Sequence, residues 1–105
     1  MILELVLFRN PPDLDRATEL EQARAIALKW RGNADLLRKH FMRTDDGAQG
    51  GAVYLWKSRE AAEAAHNAEW RAEIKARTGS EPTCQYFDLL LLVDNEAGKV
   101  TEYPE

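Results

Sequence analysis

The stretch Asp45-Asp-Gly-Ala-Gln-Gly-Gly-Ala-Val-Tyr-Leu-Trp-Lys-Ser58 holds three signals in succession. Asp45 to Gly51 is rich in turn-forming residues, Ala52 to Trp56 is an apolar run of strand length, and Ser58 is a good helix N-cap. Working back, Leu36–Thr44 reads as the strand that enters this turn, so strands two and three pair antiparallel. Working forward, Arg59–Arg77 reads as an Ala-rich helix that Gly79 closes in a left-handed conformation. Its apolar register slips. Ala61, Ala62 and Ala65 form one stripe, but continuing it would place Glu69 and Glu73 there, so a break or bend is expected near His66-Asn67.

The flanks complete the pattern. Ile2-Leu-Glu-Leu-Val-Leu-Phe8 reads as strand one, ended by Asn10-Pro-Pro12, where two prolines remove ladder donors. Asp13 offers an N-cap for a helix running to Trp30, with Leu20, Ala23, Ile26, Ala27 and Trp30 on one face and Gly32 in the C-cap region. After Pro82, Thr83–Asp94 reads as one long fourth strand, and Asn95–Glu105 as a polar arm. The order β-α-β-β-α-β over 105 residues defines one α+β domain of ferredoxin-like type, a four-stranded antiparallel sheet with its helices on one face. The other face is then bare. Strand four would place Phe87, Leu89, Leu91 and Val93 on one side and Leu90 and Leu92 on the other, so a second copy is expected to cover the bare face and make a homodimer.

Composition excludes several classes. A net charge of -4 offers no field for a phosphate backbone, so no nucleic-acid partner is expected. The N-terminal apolar run Ile2–Phe8 is too short and contains Glu4, so it reads as neither signal peptide nor membrane span, and a lone Cys84 cannot form an internal disulfide; a cytoplasmic protein with no membrane partner is expected. The glycines lack phosphate-loop spacing. No metal is expected, because His40 and His66 lie on different elements and Cys84 is isolated in sequence.

The polar residues directed at the helix–sheet space are the candidates for chemistry. His66 lies one turn after Ala62 and one before Trp70, so it is either a pocket base, the cap of a helix end or a partly exposed side chain. His40 sits in a strand whose two faces are both mixed. Tyr54 and Trp56 share a face with Ala52 and are either packed core or the wall of a small-molecule cavity opposite the alanine stripe.

Asp35-Leu-Leu-Arg-Lys-His-Phe41, Gly50-Gly-Ala-Val-Tyr-Leu-Trp56 running into Lys57-Ser58 and Glu60-Ala-Ala62, and Phe87-Asp88 together resemble the dimeric α+β barrel superfamily, in particular the YdhR-type monooxygenases. The resemblance covers most of residues 1–95. It implies a homodimer with sheets face to face and, as in antibiotic-biosynthesis monooxygenases, oxidation of a small aromatic or phenolic substrate by dioxygen without cofactor. His66 would then be the base, His40 its alternative, and Tyr54, Trp56 and Trp70 the cavity walls. Haem-degrading relatives carry an Asn on strand one and a Trp and a His on the second helix; Ala65 and Lys75 stand at the latter two positions here, which disfavours haem. The same scaffold also supports non-catalytic small-molecule or stress-related binding proteins, and isomerases or lyases.

Overall fold

The computed structural model describes residues 1–104. Its elements are β1 (Ile2–Arg9), α1 (Arg16–Trp30), β2 (Leu36–Arg43), β3 (Gln49–Trp56), α2 (Arg59–Ala65), α3 (Ala68–Thr78), β4 (Thr83–Asp88), β5 (Leu91–Asp94) and β6 (Lys99–Glu102). The main sheet has four antiparallel strands in the order β2-β3-β1-β4, with β1 at its centre. This is the expected ferredoxin-like α+β arrangement. No helix among the described residues is long and apolar enough to cross a membrane.

Local chemistry places the helix ends. The Ser58 side chain accepts from the Ala61 N–H to open α2, and Gly79, with φ at 76°, closes α3. The expected break is real: α2 stops at Ala65, His66 caps it, and the Asn67 side chain accepts from the Trp70 N–H to restart the chain as α3. The first helix is capped by Asp15 rather than Asp13, which instead adopts a positive φ of 65°. Its C-cap is Arg31, one residue ahead of Gly32.

The single long fourth strand is corrected. Asp88 lies opposite Ile2, the first residue of β1, so the ladder partner ends there and the chain leaves the sheet at Leu89-Leu90. The expected polar arm is corrected with it. β5 turns through Asn95–Gly98 and pairs with β6 in a separate two-stranded hairpin, Leu91 opposite Glu102 and Asp94 opposite Lys99. Leu90, Leu91, Val93 and Val100 stand largely exposed on this segment. Glu105, the last residue of the expected arm, lies outside the described residues.

Strand pairing sorts side chains between the two faces. Lys39, Tyr54, Glu4 and Tyr86 form one cross-strand row under the helices, and Phe41, Ala52, Val6 and Cys84 the next. Val6, Ala52, Tyr54 and Trp56 join Trp30, Ala62, Trp70 and Ile74 in the buried core. On the opposite face, Leu3, Leu5, Leu7, Val53 and Leu55 are only half-buried. At Gly51, φ is 152° and a Cβ would collide with the backbone carbonyl of Val6. Gly51→Ala therefore forces two central strands apart, and thermal unfolding should show a loss of about 2 kcal/mol or more.

Candidate active site

Of the α1 residues only Trp30 is buried, because the helix stands off the sheet and leaves a cavity beneath it. The cavity measures about 260 Å³ and is bounded by α1, α3 and the helix-facing side of β1–β3. Its apolar wall includes Phe8, Trp30, Phe41, Tyr54 and Trp70, and the small side chain of Ala52 leaves room at its floor. The alanine stripe does not face it: no described residue of α2 lines this space, and Ala62 is fully buried in the core instead.

Of the five side chains singled out from sequence, Tyr54 and Trp70 line the cavity. Trp56 does not; it is fully buried, its indole N–H donating to Glu4 Oε1 at 2.9 Å. His40 does not either. It pairs with Val53 on the opposite face of the sheet and is exposed, because the bulge between Leu36 and Arg38 resets the alternation of β2. His66 lies one ring layer behind the wall, its centroid 4.0 Å from Trp70 and 4.7 Å from Tyr54, with Trp30 at 5.4 Å.

Beneath that layer is a polar cluster built on Glu4, which is fully buried at the centre of β1. His66 Nδ1 lies 2.8 Å from Glu4 Oε2. Indole is a donor only, and a carboxylate is an acceptor only, so Glu4 collects two N–H bonds, one from β3 and one from the junction of α2 and α3. The bond through Nδ1 orients the imidazole and leaves Nε2, which is buried and without a hydrogen-bond partner among the described residues. Cys84 also reaches the cluster: ligand atoms of Glu4, His66 and Cys84 lie within 4.8 Å of one another. Sequence spacing had hidden this grouping. Both Glu4 oxygens are already engaged, and burial, then the nearby Glu4 charge, pushes the Cys84 thiol up to about 11. The three groups stand together as a hydrogen-bonded cluster in the core. The same two causes push Tyr86 up to about 12 and raise Tyr54 further.

The cavity's own charged residues escaped the sequence reading. At one end Glu19 is fully engaged, pairing with Arg43 at 2.7 Å and accepting from the Asn10 amide at 3.0 Å. At the other, Lys29 lies 3.7 Å from Glu73. Between them Lys39 extends from β2 with its Nζ 4.1 Å from the Phe41 ring centroid, 4.3 Å from Trp30 and 4.6 Å from Tyr54. It forms no ion pair among the described residues. Burial pushes the Lys39 ammonium down to about 7, helped by Arg77 and Lys29 and opposed by Glu4. A primary amine free of its proton near neutrality, on the wall of an aromatic cavity, is a base or a nucleophile.

The ferredoxin-like arrangement of a four-stranded antiparallel sheet with helices on one face is shared with two solved structures. The ActVA-Orf6 monooxygenase of Streptomyces coelicolor, solved with nanaomycin D, shares it with a TM-score of 0.62 at 18% identity, over 82% of this chain and 84% of that one. Rv0793 of Mycobacterium tuberculosis shares it with a TM-score of 0.62 at 14% identity, over 86% of this chain and 96% of that one. At these identities the likeness is one of fold. The sequence matches no protein-family model and no curated protein.

Proposed function

We propose that the protein is a monooxygenase that oxidises a small aromatic substrate with dioxygen in the cavity under α1, without metal, flavin or haem. The observation that carries this reading is Lys39, an unpaired amine held among three aromatic rings in the cavity wall. Neutral Lys39 takes the proton of a phenolic or enolic hydroxyl. The electron-rich, hydrogen-bearing ring carbon of the resulting anion then bonds to dioxygen, the Lys39 ammonium returns its proton to the peroxide anion, and the hydroperoxide loses water to leave a carbonyl. One oxygen atom ends in the product and the other in water, so the substrate supplies all four electrons. The apolar rings beside Lys39 lower the local polarity, which strengthens the pairing of the anion with the new Lys39 ammonium. The resemblance to YdhR-type proteins supports the same reaction class.

His66 is the second proton acceptor in this reading. Its Glu4-oriented ring presents only Nε2, and that atom reaches the substrate only when Tyr54 or Trp70 gives way. His40 takes no part from the opposite face.

Anthrone is the test substrate, since its enol is acidic and its oxidation to anthraquinone has the required stoichiometry. With chelator present, oxygen uptake above the protein-free rate, one dioxygen per anthraquinone, is the expected result. Saturable binding with no uptake would instead make the chain a non-catalytic binding protein, and an isomerised or dehydrated product would place it with the isomerases or lyases.

The working unit is a homodimer in which a second copy covers Leu3, Leu5, Leu7, Val53 and Leu55 on the open sheet face. Sedimentation equilibrium at micromolar concentration should give twice the chain mass; a single-chain mass would sink this part of the reading.

A further inference from the structure

The charges around the cavity are unevenly matched. Glu19 is taken by Arg43, and Lys29 faces Glu73, yet Lys39 on β2 and Arg77 on α3 both line the cavity and neither has a carboxylate partner among the described residues. Arg77 reaches the space past Phe8, its Cζ 5.7 Å from that ring centroid, while Lys39 comes from the sheet side. Burial works against the Lys39 charge, whereas Arg77 stands exposed at the edge of the cavity. The Lys39 amine in the wall and the Arg77 guanidinium at the edge are both left without a carboxylate, and an anion placed between them would meet both, holding Lys39 as the ammonium. Guanidinium presents a planar donor pair to two oxygens, and ammonium acts as a point charge.

We propose that Lys39 and Arg77 form the anion subsite of this cavity, and that its ligand is an aromatic compound bearing an oxyanion head, seated with its ring against Trp30, Phe41 and Trp70. The inference rests on the cavity being the ligand site, and it does not require turnover. The charged and titratable groups facing Lys39 are Tyr54 on β3, Glu4 on β1, Lys29 and Glu19 on α1, and Glu73 and Arg77 on α3. An arriving anion shifts this balance toward the ammonium, so binding near pH 8 draws a proton onto Lys39.

Calorimetry on the full chain at pH 8, with 2-naphthoate and its neutral analogue 2-naphthalenemethanol, in two buffers of different ionisation enthalpy, tests this. The naphthoate should bind at least about tenfold more tightly than the alcohol, with net proton uptake. Arg77→Met should weaken naphthoate binding by a similar factor and keep the uptake, whereas Lys39→Met should weaken it and abolish the uptake. Equal affinities for the two compounds would overturn the subsite, and that comparison uses the unaltered protein, so it stands even where a variant misfolds. Charge-selective binding without anthrone oxidation keeps the subsite and removes the monooxygenase reading. Anthrone oxidation without charge selectivity does the reverse.

Discussion

Glu4→Ala should lower the melting temperature by about 12 °C or more. Glu4 is fully buried, and its two oxygens accept from Trp56 Nε1 at 2.9 Å and His66 Nδ1 at 2.8 Å. Alanine leaves both donors buried without partners and opens a void at the centre of β1. Each buried donor left without an acceptor costs about 1–3 kcal/mol, and the void adds to that, against a total of about 5–15 kcal/mol for a domain of this kind. Glu4→Gln should cost less. Its amide oxygen still accepts from Trp56, and the imidazole can meet the amide N–H₂ by moving its own proton to Nε2. Thermal unfolding followed by far-UV circular dichroism measures both. A Glu4→Ala variant melting within a few degrees of the parent would show that Glu4 does not hold these elements together.

Lys39→Met is expected to move activity and stability in different directions. If Lys39 is the proton acceptor, kcat/KM for anthrone oxidation should fall by about 10²–10⁴-fold. The parent rate should rise with pH through about 7 as Lys39 loses its proton, and the variant should lose that rise. Stability obeys the opposite logic. The Lys39 pKa is lowered from 10.5 to about 7 on folding, so between those values the unfolded chain binds the proton and the folded chain does not. Its contribution to stability therefore grows with rising pH across that window. Below about pH 7 both states carry the charge, and the folded state bears the unfavourable burial. Methionine, of similar length and apolar, removes that burden, so Lys39→Met should be as stable as the parent or more stable at pH 6. A merely structural lysine would lose stability along with activity.

Much of this fold was legible because its punctuation is local. Asn10-Pro-Pro12, Ser58 and Gly79 act through their own backbone or side chain, and each ends or starts an element as read. The slip of the alanine stripe likewise located the break at His66-Asn67, since a face that turns polar halfway cannot remain one packed helix. The fourth strand misled for the opposite reason. Leu89 to Val93 is uniformly apolar, and its division is decided by where β1 stops offering a partner, which is a non-local fact.

The site was legible in part. Strand alternation offered Tyr54 and the family resemblance Trp70 as cavity walls, and both line the cavity. Lys39 was passed over because a single lysine in a mixed strand carries no signal until the bulge at Leu36/Arg38 places it beside Tyr54, and His40 was misplaced by the same bulge. Glu4 did carry a signal, being the one charged residue within Ile2–Phe8. An acid inside an apolar central strand needs buried donors, and Trp56 and His66 are those donors.

The proposed chemistry depends on the protonation of Lys39, and NMR can observe it directly. With lysine labelled with carbon-13 at Cε, the resonance that disappears in Lys39→Met identifies the residue among the five lysines. A titration midpoint near 7 is the expected result. A midpoint close to 10.5, the ordinary value, would leave an ammonium in the cavity at neutral pH and contradict a role for Lys39 as the base.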